Sequence, residues 1–295
     1  MSRSVGGLAA GFLLVLTASL SAESSIDPSR KYAWAANVGW VNFEAGITHG
    51  VAAGGFYFSG YAWSANTGWI DFGDGSPANG HSYANNSSGD FGVNHDGAGN
   101  LSGYAYSANT GWINFGWASL SDSNRPRFDL QTGVFVGYAW SANTGWIHLG
   151  TGLLATNVLQ SPDADADGIA DAWEMLHFGT LTTAGPATDS DDDGVSDADE
   201  YAADTGPDDT GSYLRVVSQS FSTTPPGTNL GFGPTSPARL YRIEYSNDLG
   251  GSDPWTSSSA GTFPPDAGPL TYRTVTYPGN PKKFFRVVVV VPLSP

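Results

Sequence analysis

Four near-copies of a single twelve-residue motif restrict this chain more than anything else in it. Tyr32 to Phe43 reads YAWAANVGWVNF, and Tyr61 to Phe72 reads YAWSANTGWIDF. Tyr104 to Phe115 reads YAYSANTGWINF, and Tyr138 to Leu149 reads YAWSANTGWIHL. One structural unit is thus built four times, and each unit must bury its apolar face against its neighbours. The starts at residues 32, 61, 104 and 138 are unevenly spaced, so insertions fall between the units, notably the Gly/Asn/Ser-rich stretch Asp74 to Gly92.

Each copy reads as a β-hairpin. In the second, Tyr61-Ala62-Trp63 and Trp69-Ile70-Asp71-Phe72 are the arms. Ser64-Ala65-Asn66-Thr67-Gly68 is a five-residue loop whose Asn and Gly tolerate positive φ. Symmetric closure sets Trp63 against Trp69 and Tyr61 against Asp71 on one side of the ribbon. Ala62, Ile70 and Phe72 then occupy the other side, an ordinary core face. The first side carries three aromatics per copy. Among them Trp34, Trp40, Trp63, Trp69, Tyr106, Trp112, Trp140 and Trp146 are candidate ligand-binding or assembly residues. Left open together, the aromatics would expose on the order of 2,000 Å², whereas the largest patch of a soluble monomer is about 300–600 Å². Most are therefore expected to pack between units or between subunits. The alternatives are a platform that stacks on sugar rings and a face for self-assembly. The eleventh motif position runs Asn42, Asp71, Asn114, His148, which suits surface or recognition variation better than catalysis.

Another strand is expected before the later hairpins, at Phe56-Tyr57-Phe58, Leu101-Ser102-Gly103 and Val134-Phe135-Val136, making each unit a three-stranded meander of about 30 residues. The first copy lacks this strand, and Gly152 to Leu159 is the candidate to pair beside it, within one chain or between neighbours. Over residues 32–149 the repeats resemble GYAWSANxGWI repeats of exported proteins of environmental bacteria.

The charge is localised. Of 28 acidic residues, 15 lie within residues 163–209, which hold none of the 12 Lys and Arg. Asp163-Ala-Asp165-Ala-Asp167-Gly168-Ile169-Ala-Asp171-Ala-Trp-Glu174 is a twelve-residue loop of the D-x-D-x-D-G-x-x-D-x-x-E kind. Asp189-Ser-Asp191-Asp-Asp193-Gly194-Val195-Ser-Asp197-Ala-Asp-Glu200 is a second. Calcium takes six to eight oxygens, so the spacing predicts two Ca2+ sites. Loop positions one, three and five supply carboxylates, position seven a backbone carbonyl (Ile169, Val195), position nine a direct or water-borne contact, and position twelve a bidentate Glu. Short helices are expected after each loop, with Trp173, Leu176 and Phe178 forming the small core between the two. The pair resembles the thrombospondin type 3 and dockerin-like calcium modules of secreted proteins. Both copies end in Glu, where thrombospondin type 3 repeats usually have Asp, and cohesin binding is not implied.

Composition supports a mostly β chain. Glycine numbers 39 and proline 18, only 14% of residues are charged against about 25% ordinarily, and cysteine is absent. A net charge of −16 argues against nucleic-acid or anionic-membrane partners. Arg3, the uncharged run Val5 to Leu20 and the small residues to Ala22 read as a secretory signal peptide, leaving no transmembrane segment in the mature chain. Alternating segments at Leu214–Ser220, Leu240–Ser246, Tyr272–Tyr277 and Phe284–Val291 suggest a β-sandwich of immunoglobulin or fibronectin type III kind, with Val287–Val291 as a central core strand or, alternatively, an edge for assembly. Its YRIEYSNDL and FFRVVV segments after a calcium module resemble C-terminal regions of large exported bacterial proteins.

The expected organisation is a signal peptide at 1–22 and a four-repeat aromatic domain at 31–160. Tandem calcium loops at 161–210 and a sandwich-like domain at 211–295 follow. No metalloprotease, nucleophile-elbow or Walker pattern occurs, so an enzyme is not expected. The functional expectation is a secreted or cell-surface bacterial protein acting as a structural, scaffolding or adhesive module, its linker rigidified by calcium. The rival readings are carbohydrate binding through exposed repeat aromatics and a subunit of an extracellular filament or surface layer. Partners are thus glycans or copies of itself.

Overall fold

A computed structural model describes residues 23–46, 49–223, 226–276 and 283–294, and the expected signal peptide lies outside them. The protein is mostly β, as composition implied. The N-terminal part contains β1 (Ile26–Ala35), β2 (Gly39–Asn42), β3 (Ala52–Ala53), β4 (Phe58–Ser59), β5 (Tyr61–Ser64), β6 (Gly68–Asp71) and β7 (Val93–His95). It continues through β8 (Leu101–Ser107), β9 (Gly111–Asn114), β10 (Arg127–Phe128), β11 (Phe135–Val136), β12 (Tyr138–Ser141), β13 (Gly145–His148) and β14 (Leu154–Thr156).

The hairpin register is the one the motif dictates: Tyr61 faces Asp71, Ala62 faces Ile70 and Trp63 faces Trp69. Ser64 and Gly68 also pair, which tightens the loop to Ala65-Asn66-Thr67. Gly68 closes it at φ +73°, the left-handed conformation that a three-residue hairpin loop needs.

The hairpins do not each stand in a separate three-stranded unit. They pair edge to edge in the order β13-β12-β9-β8-β6-β5-β2-β1, and β13 returns to β1 through Trp34–His148 and Ala35–Ile147. The result is a closed, barrel-like sheet of eight strands. The leading segments are turned out of it into short separate ribbons, β3 with β4 and β10 with β11, while β7 pairs with the start of β8. The cause is the glycine before each later tyrosine. At Gly60 φ is +82°, and a Cβ there would sit 2.2 Å from the Gly50 carbonyl oxygen. The Gly152 to Leu159 expectation holds: β14 pairs antiparallel with β1, within one chain.

The interior follows from the alternation. Ala33, Ala62, Ala105 and Ala139 are fully buried, and Val41, Ile70, Ile113 and Ile147 lie opposite them. Phe43, Phe72, Phe115 and Leu149 fill the same core, with Phe72 5.2 Å from Phe43 and 5.5 Å from Phe115 between ring centroids. Each such side chain stabilises the fold by about 1.5–3 kcal/mol. An eight-stranded barrel has room inside only for packed side chains. Small and aliphatic positions therefore point inward, and the Trp and Tyr positions point out.

Two short helices follow the acidic loops, α1 (Asp171–His177) and α2 (Asp197–Ala203). The C-terminal part contains β15 (Arg215–Thr223), β16 (Pro226–Gly233), β17 (Leu240–Ser246), β18 (Thr256–Phe263), β19 (Thr271–Val275) and β20 (Phe284–Val290). They form two three-stranded antiparallel sheets, β15-β16-β19 and β18-β17-β20. Leu230, Phe232 and Val275 of the first share one core with Tyr241, Ile243 and Phe263 of the second. The valine run is not central: β17 holds that place, and β20 lies at an edge with Val287 and Val289 half-buried against the core.

Candidate functional site

The barrel exterior is where the motif concentrates its chemistry, and the expected packing of its aromatics between units of one chain is not found. Eleven of the twelve are 37–50% exposed, Tyr138 being half-buried. Closure is the reason, since it takes the Ala/Ile/Phe face inside and leaves no second layer over the other. The rings cover one another partly, edge to face: Trp34 and Trp40 lie 4.9 Å apart, as do Tyr106 and Trp112.

Register between hairpins sorts these residues into four repeating rows. Asn42 faces Tyr32 of its own hairpin and Trp63 of the next. Asp71 stands likewise between Tyr61 and Tyr106, Asn114 between Tyr104 and Trp140, and His148 between Tyr138 and Trp34. Three of these polar residues have a local task. The side-chain oxygens of Asn42, Asp71 and Asn114 accept the N–H of the second residue onward, Glu44, Gly73 and Gly116. His148 stacks on Tyr138 at 4.6 Å. Burial raises the Asp71 carboxyl above its ordinary pKa.

Among the described residues, three of the four hairpins carry a feature that the motif did not reveal. An aromatic from the preceding insertion stands against the ninth-position tryptophan: His49 at 6.1 Å from Trp69, Phe91 at 5.1 Å from Trp112, and Trp117 at 4.7 Å from Trp146. The Phe91 and Trp112 planes meet at 84° and those of Trp117 and Trp146 at 66°, so each pair makes a corner. The Trp112 corner opens into a cleft of about 420 Å³ bordered by Tyr104, Asn86 and Ser88. The Trp146 corner opens into one of about 300 Å³ bordered by Tyr138 and Asn124. The Trp117 indole N–H donates to the Tyr138 carbonyl at 2.6 Å, fixing that wall. Trp40 has Tyr32 and Trp34 as ring neighbours, both from its own hairpin. His49 and Phe91 lie twelve and thirteen residues before their motif tyrosines, a spacing that sequence inspection could have used. Trp117 lies twenty-one before Tyr138, which hides the relation.

Comparison of the chain with protein-family models, curated proteins and solved structures finds no match.

The second candidate site is the acidic module. The carboxylates of Asp163, Asp165 and Asp167 each bring an oxygen within 4.8 Å of the others, and so do Asp189, Asp191 and Asp193. The two loops share one backbone course, with Ala166 and Asp192 at φ +61° and +62° and Gly168 and Gly194 at +96° and +93°. Asp163 accepts the N–H of Asp167 and Gly168, and Asp189 that of Asp193 and Gly194. These bonds wrap each loop round its own first carboxylate. Glu174 and Glu200 are completely buried. Both oxygens of Glu174 and one each of Asp167, Asp191, Asp193 and Glu200 meet no hydrogen-bond partner. A buried ionised carboxylate without a partner is strongly unfavourable. Burial, followed for Glu174 by the neighbouring aspartates, pushes both glutamic acids up to about 7. The donor set therefore fits a hard cation, which would satisfy these oxygens together. Ile169 and Val195 stand at position seven of each loop, Ile169 with its side chain in the core between the loops.

Position nine is different. Asp171 accepts the Ala164 N–H at 2.7 Å, and Asp197 accepts from Ser190 and Thr188 through both oxygens. They tie the loop's start to its helix. Trp173 and Phe178 pack in the small core as expected, but Leu176 is 46% exposed because its position on α1 faces away. The module is braced on both sides. Phe56 from the barrel joins its core, and the buried Arg239 donates to the carbonyls of Ala202 and Tyr201 at the end of α2. Among the described residues, no helix is long and apolar enough to cross a membrane.

Proposed function

We propose that this is an exported, calcium-braced binding protein whose barrel exterior recognises carbohydrate, an adhesive module and not an enzyme. One observation carries the reading: tryptophans half open to solvent stand in walled clefts beside side-chain amides and hydroxyls. The less polar face of a pyranose presents C–H groups with partial positive charge, which meet the electron-rich face of an indole. Asn86, Ser88 and Asn124 supply donors and acceptors at the cleft edges for hydroxyls. Four hairpins give several weak contacts on one body, and linked weak sites bind far more tightly than one.

The reading as a filament or surface-layer subunit has less support, since closure pairs each of the eight hairpin strands on both sides and leaves only the short β7 and β14 as edges. The acidic module is read as two calcium sites held by Asp163, Asp165, Asp167, Ile169 and Glu174, and by Asp189, Asp191, Asp193, Val195 and Glu200, with Asp171 and Asp197 in contact directly or through water. There calcium supplies fixed positive charge and no chemistry. The C-terminal pair of sheets is read as a sandwich of immunoglobulin or fibronectin type III kind that spaces or anchors the barrel.

Glycan-array screening of the calcium-saturated chain, followed by calorimetry on the best hit, tests the proposal. Trp112→Ala and Trp146→Ala should each weaken binding by about 1–2 kcal/mol, roughly tenfold. Trp40→Ala, at the unwalled hairpin, should leave it nearly unchanged. Absence of any saturable glycan binding would overturn the reading, as would equal losses in all three variants.

A further inference from the structure

Strand β15 is left open on three sides. It ends its sheet, and among the described residues no strand lies along the side away from β16. Residues 215–221 are exposed without alternation, so neither face of the strand is covered. Val216, Val217 and Phe221 are 45%, 44% and 71% exposed. Val216, Gln219 and Phe221 pair with Phe232, Leu230 and Thr228, which are buried. They therefore continue the core face of the sheet past the part that the second sheet covers. Such an edge offers unpaired N–H and C=O groups to any strand that fits, and soluble proteins guard it with charge, proline or a covering element. Arg215 is the single charged residue of β15, and no proline interrupts it. The edge strand β20 is guarded differently, with Arg286 at its middle paired to Glu244.

The sequence of the strand points to its occupant. About Gln219 it has the same chemistry in both directions: Ser218 matches Ser220, and the apolar Val217 matches the apolar Phe221. Two copies of one strand paired antiparallel are related by a two-fold axis. With Gln219 on that axis, glutamine meets glutamine, serine meets serine and each valine meets a phenylalanine, cross-strand pairs that stabilise a sheet. The two Arg215 residues then stand at opposite ends, roughly 27 Å apart at 3.4 Å per residue. Nearby charge also permits the approach of a second copy. Residues 211–295 hold seven Lys and Arg against four Asp and Glu, so the acidic excess lies elsewhere in the chain. We propose that a second copy of this chain pairs with β15, joining two three-stranded sheets into one of six strands in a closed two-fold dimer. This surface is independent of carbohydrate recognition on the barrel exterior, and the dimer unites two barrels.

Sedimentation equilibrium of the full chain with calcium present should show a reversible monomer–dimer equilibrium. Gln219→Lys and Gln219→Glu each set like charges against one another at the axis, and each alone should weaken the dimer about tenfold. Mixed in equal amounts, the two variants should regain the dimer, since lysine then meets glutamate. Gln219 is exposed, and near-ultraviolet circular dichroism checks that both variants keep the native fold. An unaltered chain that stays monomeric at about 1 mM would overturn the proposal. So would a dimer that both variants leave unchanged, or a mixture no tighter than either variant alone. Growth beyond the dimer would overturn it too, because that requires a different surface on the partner.

Discussion

The Asn66 side-chain amide donates to the Val38 carbonyl of the preceding hairpin at 3.0 Å. The same bond recurs from Asn109 to Thr67, from Asn143 to Thr110 and, across the closure, from Asn37 to Thr144. This ring of donors is why the motif keeps Asn at its sixth position, where local turn chemistry alone would also admit Asp or Gly. Asn66→Asp should destabilise the barrel by about 1–3 kcal/mol, because it removes the donor and sets a carboxylate against a carbonyl; denaturant unfolding measures it. A change within error would mean that the ring is incidental. His95 offers a second residue-scale check. It is buried, its Nε2 lies 2.7 Å from the Gly54 carbonyl, and its Nδ1 accepts the Gly97 N–H, so the neutral ring satisfies both contacts. Burial lowers its pKa, so the unfolded chain takes up a proton near the ordinary value of about 6.5 while the folded chain does not. Its contribution is present above that value and declines as pH falls below it. His95→Phe should flatten this part of the pH–stability curve.

At the scale of elements, the acidic loops show how far local pattern reaches. Ligand spacing, the glycines and the helices after each loop were legible because each is settled within twelve residues. The hairpin register was legible for the same reason. The hydrogen bonds of Asp171 and Asp197 were not, since they depend on N–H groups seven residues back. β16 and β18 were missed because Gly, Ser and Thr dominate β18, and β16 offers only Leu230 and Phe232 set among glycines. The module also yields a prediction with opposite signs in two states. Without calcium, Glu174 and Glu200 hold their protons up to about pH 7, so folding gains at low pH and loses as pH rises from the ordinary 4.5 through 7. With calcium the ionised carboxylates are required, so stability rises over that interval. Fluorescence-monitored unfolding against pH, with chelator and with calcium, should give opposite slopes. Glu174→Gln should flatten the chelator curve and weaken calcium binding; parallel slopes would exclude ion binding at the buried glutamates.

Across the whole molecule, the part that sequence did not yield is closure, because it rests on pairing between residues more than a hundred positions apart. The tryptophan walls were hidden similarly, by insertions of unequal length. Those insertions also join distant parts. At Gly80, in the insertion that carries Phe91, φ is +81° and a Cβ would come within 2.6 Å of Met175 Cγ on α1. Helix and insertion are therefore in contact, and Asp90 gathers the insertion by accepting the N–H of Ala78 and Ala84. Calcium removal should accordingly speed amide exchange in residues 74–92, beside Trp112, while the Trp117 wall keeps its rate. Hydrogen-exchange mass spectrometry reads both, and equal change at the two walls would refute the linkage. The ring of asparagines has one more consequence. Every hairpin clasps its predecessor in the same way, and the barrel's own ends lie together, Asn157 donating its N–H to the Ser25 carbonyl at 2.9 Å. No hairpin is structurally first. A circularly permuted chain, opened in the insertion after Phe72 and joined at the old ends, would meet every clasp again, so the order of repeats along the gene is one of four equivalent ways to write the same barrel.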